Sequence, residues 1–112
     1  MTEEASLGLV VVRRGAVTSV RVSGEIDLVT AHRLETFLRD HIGGADTVLE
    51  LDLAEVEFIG SEGLRVLLLV RAECARRQAS LVIATCSASV LRTFDLVGLT
   101  DHLLGSPGGR SA

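Results

Sequence analysis

Lysine, tryptophan and tyrosine are missing from this 112-residue chain, which has one proline, two cysteines and three phenylalanines. Each shortage excludes something. Without lysine there is no Walker-type phosphate loop, whose lysine reaches the β- and γ-phosphates of a nucleotide. Phe37, Phe58 and Phe94 lie far apart and make no row of platforms for stacking single-stranded bases. The eleven basic residues, all arginine, are scattered through a chain of formal net charge −4. Nucleic acid and anionic membrane surfaces both call for concentrated positive charge, so neither is an expected partner. Cys74 and Cys86 fit no common zinc spacing and read as two reduced, packed thiols. The longest apolar run, Leu64 to Val70, is interrupted by Arg65 and falls far short of the ~18 residues a membrane helix needs. Met1-Thr2-Glu3-Glu4 is acidic where a secretory leader would be basic. The expected setting is cytoplasmic.

Catalytic signals are equally sparse. His32, His41 and His102 form no i, i+4 pair, and no G-x-S-x-G or dinucleotide-binding glycine pattern occurs. His41 falls on the apolar stripe of a helix, where a satisfied boundary histidine is expected rather than a ligand. With no nucleophile–base pair in view, the chain is not expected to be an enzyme or to need a metal or cofactor.

Hydrophobic residues make up 47% of the chain and charged ones 23%, a balance that supports one compact domain with a Val, Leu, Ile and Ala core. Leu7 to Val12 reads as a strand, Arg13-Arg14-Gly15 as a turn, and Ala16 to Val22 as an antiparallel second strand broken at Ser23-Gly24. Ala31, Leu34, Phe37, Leu38, His41 and Ile42 trace one stripe of a helix, with Thr30 as its N-cap and Gly43-Gly44 as its stop. A short strand over Thr47 to Leu53 leads, through a turn, to a helix from about Ser61 to Gln78. Leu81 to Ala84 is a buried strand, Ser87 or Ser89 caps a third helix ending at Gly98, and Leu103-Leu104 adds a last short element. Alternating strands and helices imply right-handed crossovers, hence an α/β domain with a mixed, mainly parallel sheet, an N-terminal hairpin and about three packed helices. Residues 1–6 are expected to be a tail, 7–104 the domain, and 105–112 a flexible C-terminal tail.

Five acidic residues stand at the turns: Glu25 and Asp27 before the first helix, Glu55, Glu57 and Glu62 around the start of the second. They are expected to be solvated charges complementing helix N-termini, and only weakly candidates for a metal or nucleotide site. On the second helix, Leu69 falls among Glu62, Arg65, Glu73 and Arg76 on the polar side, two turns beyond Ser61. Arg65 and Leu69 are therefore expected in a docking surface.

Three segments in register resemble the STAS family. Asp52 to Leu64 (DLAEVEFIGSEGL) is similar to its strand–turn–Asp-Ser–small–Gly-Leu signature. Gly24-Glu25-Ile26-Asp27 with Thr30 matches its motif before the first helix, and Leu91 to Leu99 (LRTFDLVGL) matches its late helix and Phe-x-x-x-Gly-Leu ending. The resemblance spans about residues 7–104. It implies an anti-sigma factor antagonist whose Ser61 is phosphorylated by an anti-sigma factor that is also a serine kinase, and reset by a PP2C-type phosphatase. It also implies a partner surface including Asp27, Thr30, Gly60, Ser61 and Glu62. Gly60 departs from the family's aspartate, bringing freedom for positive φ in place of a carboxylate. The departure leaves open a STAS module without a phospho-switch, such as a stressosome component or the cytosolic subunit of a lipid transporter.

Overall fold

Residues 6–99 are described by a computed structural model, and within them the expected order of elements appears. Strands β1 (Leu7–Arg14) and β2 (Val17–Ile26) form a hairpin, followed by α1 (Ala31–Asp40), β3 (Val48–Ile59), α2 (Ser61–Arg76), β4 (Ser80–Cys86) and α3 (Ala88–Leu96). The sheet order is β1-β2-β3-β4, with β1 antiparallel to β2 and the remaining pairs parallel. The proposed element at Leu103-Leu104, and His102, lie outside the described residues.

Both crossovers, β2–α1–β3 and β3–α2–β4, step the same way across the sheet, and right-handedness therefore puts α1 and α2 on one face. Val20 and Val22 of β2, Leu49, Leu51 and Leu53 of β3, and Ile83 of β4 meet Leu34, Leu38, Leu67, Val70 and Cys74 in one buried cluster, which Val90 and Phe94 of α3 complete. Burying each such aliphatic side chain contributes about 1.5–3 kcal/mol. Among the described residues no helix covers the opposite face, which is polar at its centre. Ser19 donates to Glu50 at 2.7 Å, and Asp52 accepts from Thr85 at 2.6 Å while facing Arg21 at 3.6 Å. The Thr85 hydroxyl, then the Ala54 N–H and Arg21, hold the Asp52 carboxyl below its usual range.

All four strands run further than the sequence pattern indicated: β1 takes in Arg13 and Arg14, expected in the turn, and β4 spans Ser80–Cys86. β2 passes through the Ser23-Gly24 break to Ile26, and β3 continues six residues beyond Leu53 to Ile59. The pairing of β2 with β3 slips between Arg21 and Ser23 and again between Gly24 and Glu25. These bulges put Leu53, Val56 and Ile59 inward at a spacing of three, so a strand there lacks the period of two. Gly24 sits at φ 97°, and a Cβ on it would come within 2.3 Å of the Ser6 carbonyl oxygen. Glu25, Glu55 and Glu57 thus belong to strands and not to helix-opening turns. No group of three or more His, Cys, Asp or Glu suited to a metal occurs among the described residues.

Helix ends bear out some expectations and correct others. Ser87, not Ser89, caps α3 by accepting from the Val90 N–H, while Ser89 donates to the Glu57 carbonyl. Gly98 follows α3 at φ 74° as its stop. His41 is a half-buried boundary residue whose Nδ1–H donates to the Phe37 carbonyl at 2.7 Å. Cys74 is buried and Cys86 half-buried; both are free, and burial pushes both thiols up. At the far ends of α1 and α2, Glu73 gathers Arg39, Arg76 and Arg77, and the hydrogen bond from Arg77 leads in holding its carboxyl low.

Candidate functional site

Where β2 and β3 end, two strand-to-helix junctions lie side by side. Ile26 pairs with Ile59, and the Gly60 N–H donates to the Ile26 carbonyl at 2.9 Å, joining the β2–α1 loop to the start of α2.

The first junction is held by side chains. Thr30 is 2% exposed, and its hydroxyl donates to the Glu25 carbonyl at 2.7 Å and accepts from the Asp27 N–H at 3.0 Å. The Asp27 carboxylate accepts from the N–H groups of Val29 and Thr30, at 2.9 and 3.1 Å. Thr30 holds the expected N-cap position of α1. Thr30 makes no side-chain bond to the α1 amides, whereas Asp27 serves the two orphan amides of the turn leading into α1. Between these pins the loop holds Leu28 and Val29 outward, 76% and 73% exposed.

The second junction is held by packing. Gly60 is the N-cap residue of α2, at φ −98° and ψ −174°, and makes no side-chain cap bond. The expected positive φ is absent, so its backbone does not require glycine. Ser61 is the first helical residue, where the sequence pattern starts the helix, and it is exposed. Gly63 is buried; a Cβ there would meet Ile26 Cγ2 at 2.6 Å and Ile59 Cγ1 at 2.7 Å, so the helix start lies directly on the strand ends. Glu62 and Arg65 form an i, i+3 ion pair at 3.6 Å on the exposed side. Leu69 is half-buried, so less of it stands clear of the fold than its place among charged residues implied.

The fold brings Asp27 and Thr30 to the junction that adjoins Gly60, Ser61 and Glu62, with Arg65 following on α2. Sequence reasoning passed over Leu28, Val29 and Phe58, although Phe58 is 50% exposed with its ring edge 3.3 Å from where a Gly60 Cβ would lie. Their signal was present: two adjacent apolar residues between an Asp cap and a Thr, and a phenylalanine just before the glycine. Large apolar side chains exposed beside one another mark an interaction surface more often than a catalytic one.

The sequence profile of the STAS domain matches residues 9–108. The chain belongs to the STAS domain family. Among curated STAS relatives it is similar to the anti-sigma-F factor antagonist RsfB of Mycobacterium tuberculosis, 32% identical over 120 aligned positions covering 98% of each chain. It is also similar to the anti-sigma-B factor antagonist of Listeria monocytogenes, 35% identical over 80 positions covering 71% of this chain and 70% of that one. Its fold superposes on an anti-sigma factor antagonist from Mycobacterium paratuberculosis with a TM-score of 0.78 and 28% identity, over 96% of this chain and 93% of the other. The four-stranded mixed sheet with three helices is thus the STAS arrangement.

Proposed function

We propose that this STAS protein is an anti-sigma factor antagonist, binding an anti-sigma factor with serine kinase activity at the two adjoining junctions and releasing its sigma factor. Phosphorylation of Ser61 ends the interaction, and a PP2C-type phosphatase restores it. The observation that carries the reading is the exposed Ser61 hydroxyl opening α2 in a chain whose β2–α1 loop, joined to that helix start, holds out Leu28 and Val29.

The chemistry favours a switch by charge. Phosphorylation adds about −1.5 to −2 charges. At the first turn of α2 these face the positive end of the helix dipole and amides that no side chain caps, so the folded protein accommodates them. An apolar partner surface does not, because docking on Leu28, Val29 and Phe58 strips water from the phosphate, and Glu62 adds repulsion. Asp27 and Thr30 act through the loop shape they impose. Gly60 lets a partner approach the backbone, and Arg65 and Leu69 extend the contact along α2.

A STAS module without a phospho-switch is the second reading, and Gly60 is what favours it: no carboxylate precedes Ser61 to orient the hydroxyl for a kinase. One experiment separates the two. The protein and its Ser61→Ala variant are incubated with the cognate anti-sigma factor and ATP, then analysed by intact mass and pull-down. The phospho-switch predicts one added phosphate on wild type, none on the variant, and capture only of unmodified protein. Capture without phosphate transfer by an active kinase selects a constitutive antagonist, and no capture of either form defeats the antagonist reading in favour of a STAS module with another partner.

A further inference from the structure

Outside this site, the least expected surface is the free edge of β1. We propose that β1 pairs antiparallel with β1 of a second copy about a two-fold axis through Val11, forming a weak dimer with one continuous eight-stranded sheet.

The backbone shows which groups are free. The Glu25 N–H donates to the Ser6 carbonyl, which therefore points toward β2, while the next carbonyl, that of Leu7, points away and accepts from Arg33 at 3.5 Å. The β1–β2 register runs unbroken from Leu7 to Arg14, so the alternation carries along the strand. The N–H and C=O groups of Leu9, Val11 and Arg13 thus face away from β2, and no strand lies beside them among the described residues.

The side chains leave this edge unguarded. Strand edges are ordinarily protected by charge, proline or a bulge. From Leu7 to Val12 there is none of these, and Val10, Val11 and Val12 are 57%, 38% and 47% exposed. Val10 and Val12 lie on the open face, Leu9 and Val11 on the helix face, so an added strand meets apolar groups on both sides.

Self-complementarity points to a second copy as the occupant. With Val11 on the axis, Val11 meets Val11 of the other copy, and Val10 meets Val12 on the open face at the closer, non-hydrogen-bonded spacing of about 4.5 Å. Arg13 falls opposite Leu9 and Arg14 opposite Gly8, so the arginines lie at the two ends of the ladder and never face one another. Shifting the axis to Val10 recruits Leu7, whose outward carbonyl Arg33 already occupies. A single short strand pair buries less than the ~1,200 Å² of a standard interface, hence a weak, concentration-dependent dimer.

The test is sedimentation velocity and amide NMR on the full chain from micromolar to millimolar concentration. The expected result is a shift from the 11.9 kDa monomer toward twice that mass. Concentration-dependent shifts should centre on β1, with new exchange protection at the N–H groups of Leu9, Val11 and Arg13. Val11→Lys sets two ammonium groups against each other across the axis and should weaken association at least about tenfold. The double variant Val10→Thr/Val12→Thr, which keeps strand-forming residues, should weaken it while leaving the circular dichroism unchanged. A monomer at millimolar concentration overturns the proposal. So does a dimer indifferent to both variants, or shifts centred on α2 or β4. If residues 100–112 cover β1 instead, wild type stays monomeric and deleting them perturbs β1, which also overturns it.

Discussion

The two junctions at the ends of β2 and β3 do the same topological task by opposite means. After β2, a buried threonine and an aspartate carboxylate tie the loop to its own backbone. After β3, no side chain caps the helix, and two glycines bring α2 down onto Ile26, Ile59 and the Ile26 carbonyl. A loop pinned by hydrogen bonds can display large apolar residues, because its shape does not depend on burying them. A helix start fixed by close packing leaves its outermost residue, Ser61, free of structural duty. The difference separates shape from chemistry, with the first junction presenting the apolar surface and the second the exposed Ser61 hydroxyl.

The comparison breaks most severely at Gly63. Gly63→Val drives branched carbons into Ile26 and Ile59, both essentially buried, and is expected to cost about 3 kcal/mol in urea unfolding. Thr30→Val keeps the shape but strands the Asp27 N–H and the Glu25 carbonyl, at an expected cost of about 2 kcal/mol. Because it loosens the loop carrying Leu28 and Val29, it should also weaken anti-sigma factor capture, which calorimetry would read. A loss of stability with full partner affinity would show that the loop shape is not what the partner recognises.

At Gly60 and Ser61, on the outer side of the second junction, the expected effects are smaller. Gly60 already has a backbone open to any residue, so Gly60→Asp supplies a cap and should raise stability by about 0.5 kcal/mol. Ser61→Ala should change unfolding by less than about 0.5 kcal/mol, since the hydroxyl caps nothing. A cost near that of a lost cap would restore a structural role to Ser61.

The smallest effect is expected from acid, acting away from both junctions. Asp52 and Glu73 have folded pKa values depressed below their ordinary 3.8 and 4.5. Their contribution is present above those values and disappears as pH falls through the lower folded ones. Both are solvent-screened, so Asp52→Asn and Glu73→Gln should only flatten the acid limb of Tm against pH.

The fold class was readable because its signals are local. The stripe Leu34, Phe37, Leu38 has helical period, Gly98 ends α3, and strand–helix alternation implies parallel crossovers, although α1 stops at Asp40, with His41 as its C-cap, ahead of the expected Gly43-Gly44. The extension of β3 was not readable, since two extra residues in β3, set against β2, replace a period of two with a period of three, and only the pairing with β2 shows where they fall. Thr30 is the N-cap residue of α1 as expected, but the free amides bond to Asp27 instead of its hydroxyl: both residues have capping chemistry, and only the position of the Glu25 carbonyl decides which one turns inward. Leu28 and Val29 carried an apolar signal without a direction.

By itself, then, the sequence determined the order of the elements and the membership of Ser61 in the start of α2, because periodicity and turn chemistry act over a few residues. Only the tertiary structure decided that Gly60 bonds to Ile26, that Thr30 is buried and Leu28 exposed, and that one face and the β1 edge of the sheet stay open among the described residues. Those outcomes depend on which backbone groups meet across strands distant in sequence, and no local pattern encodes that meeting.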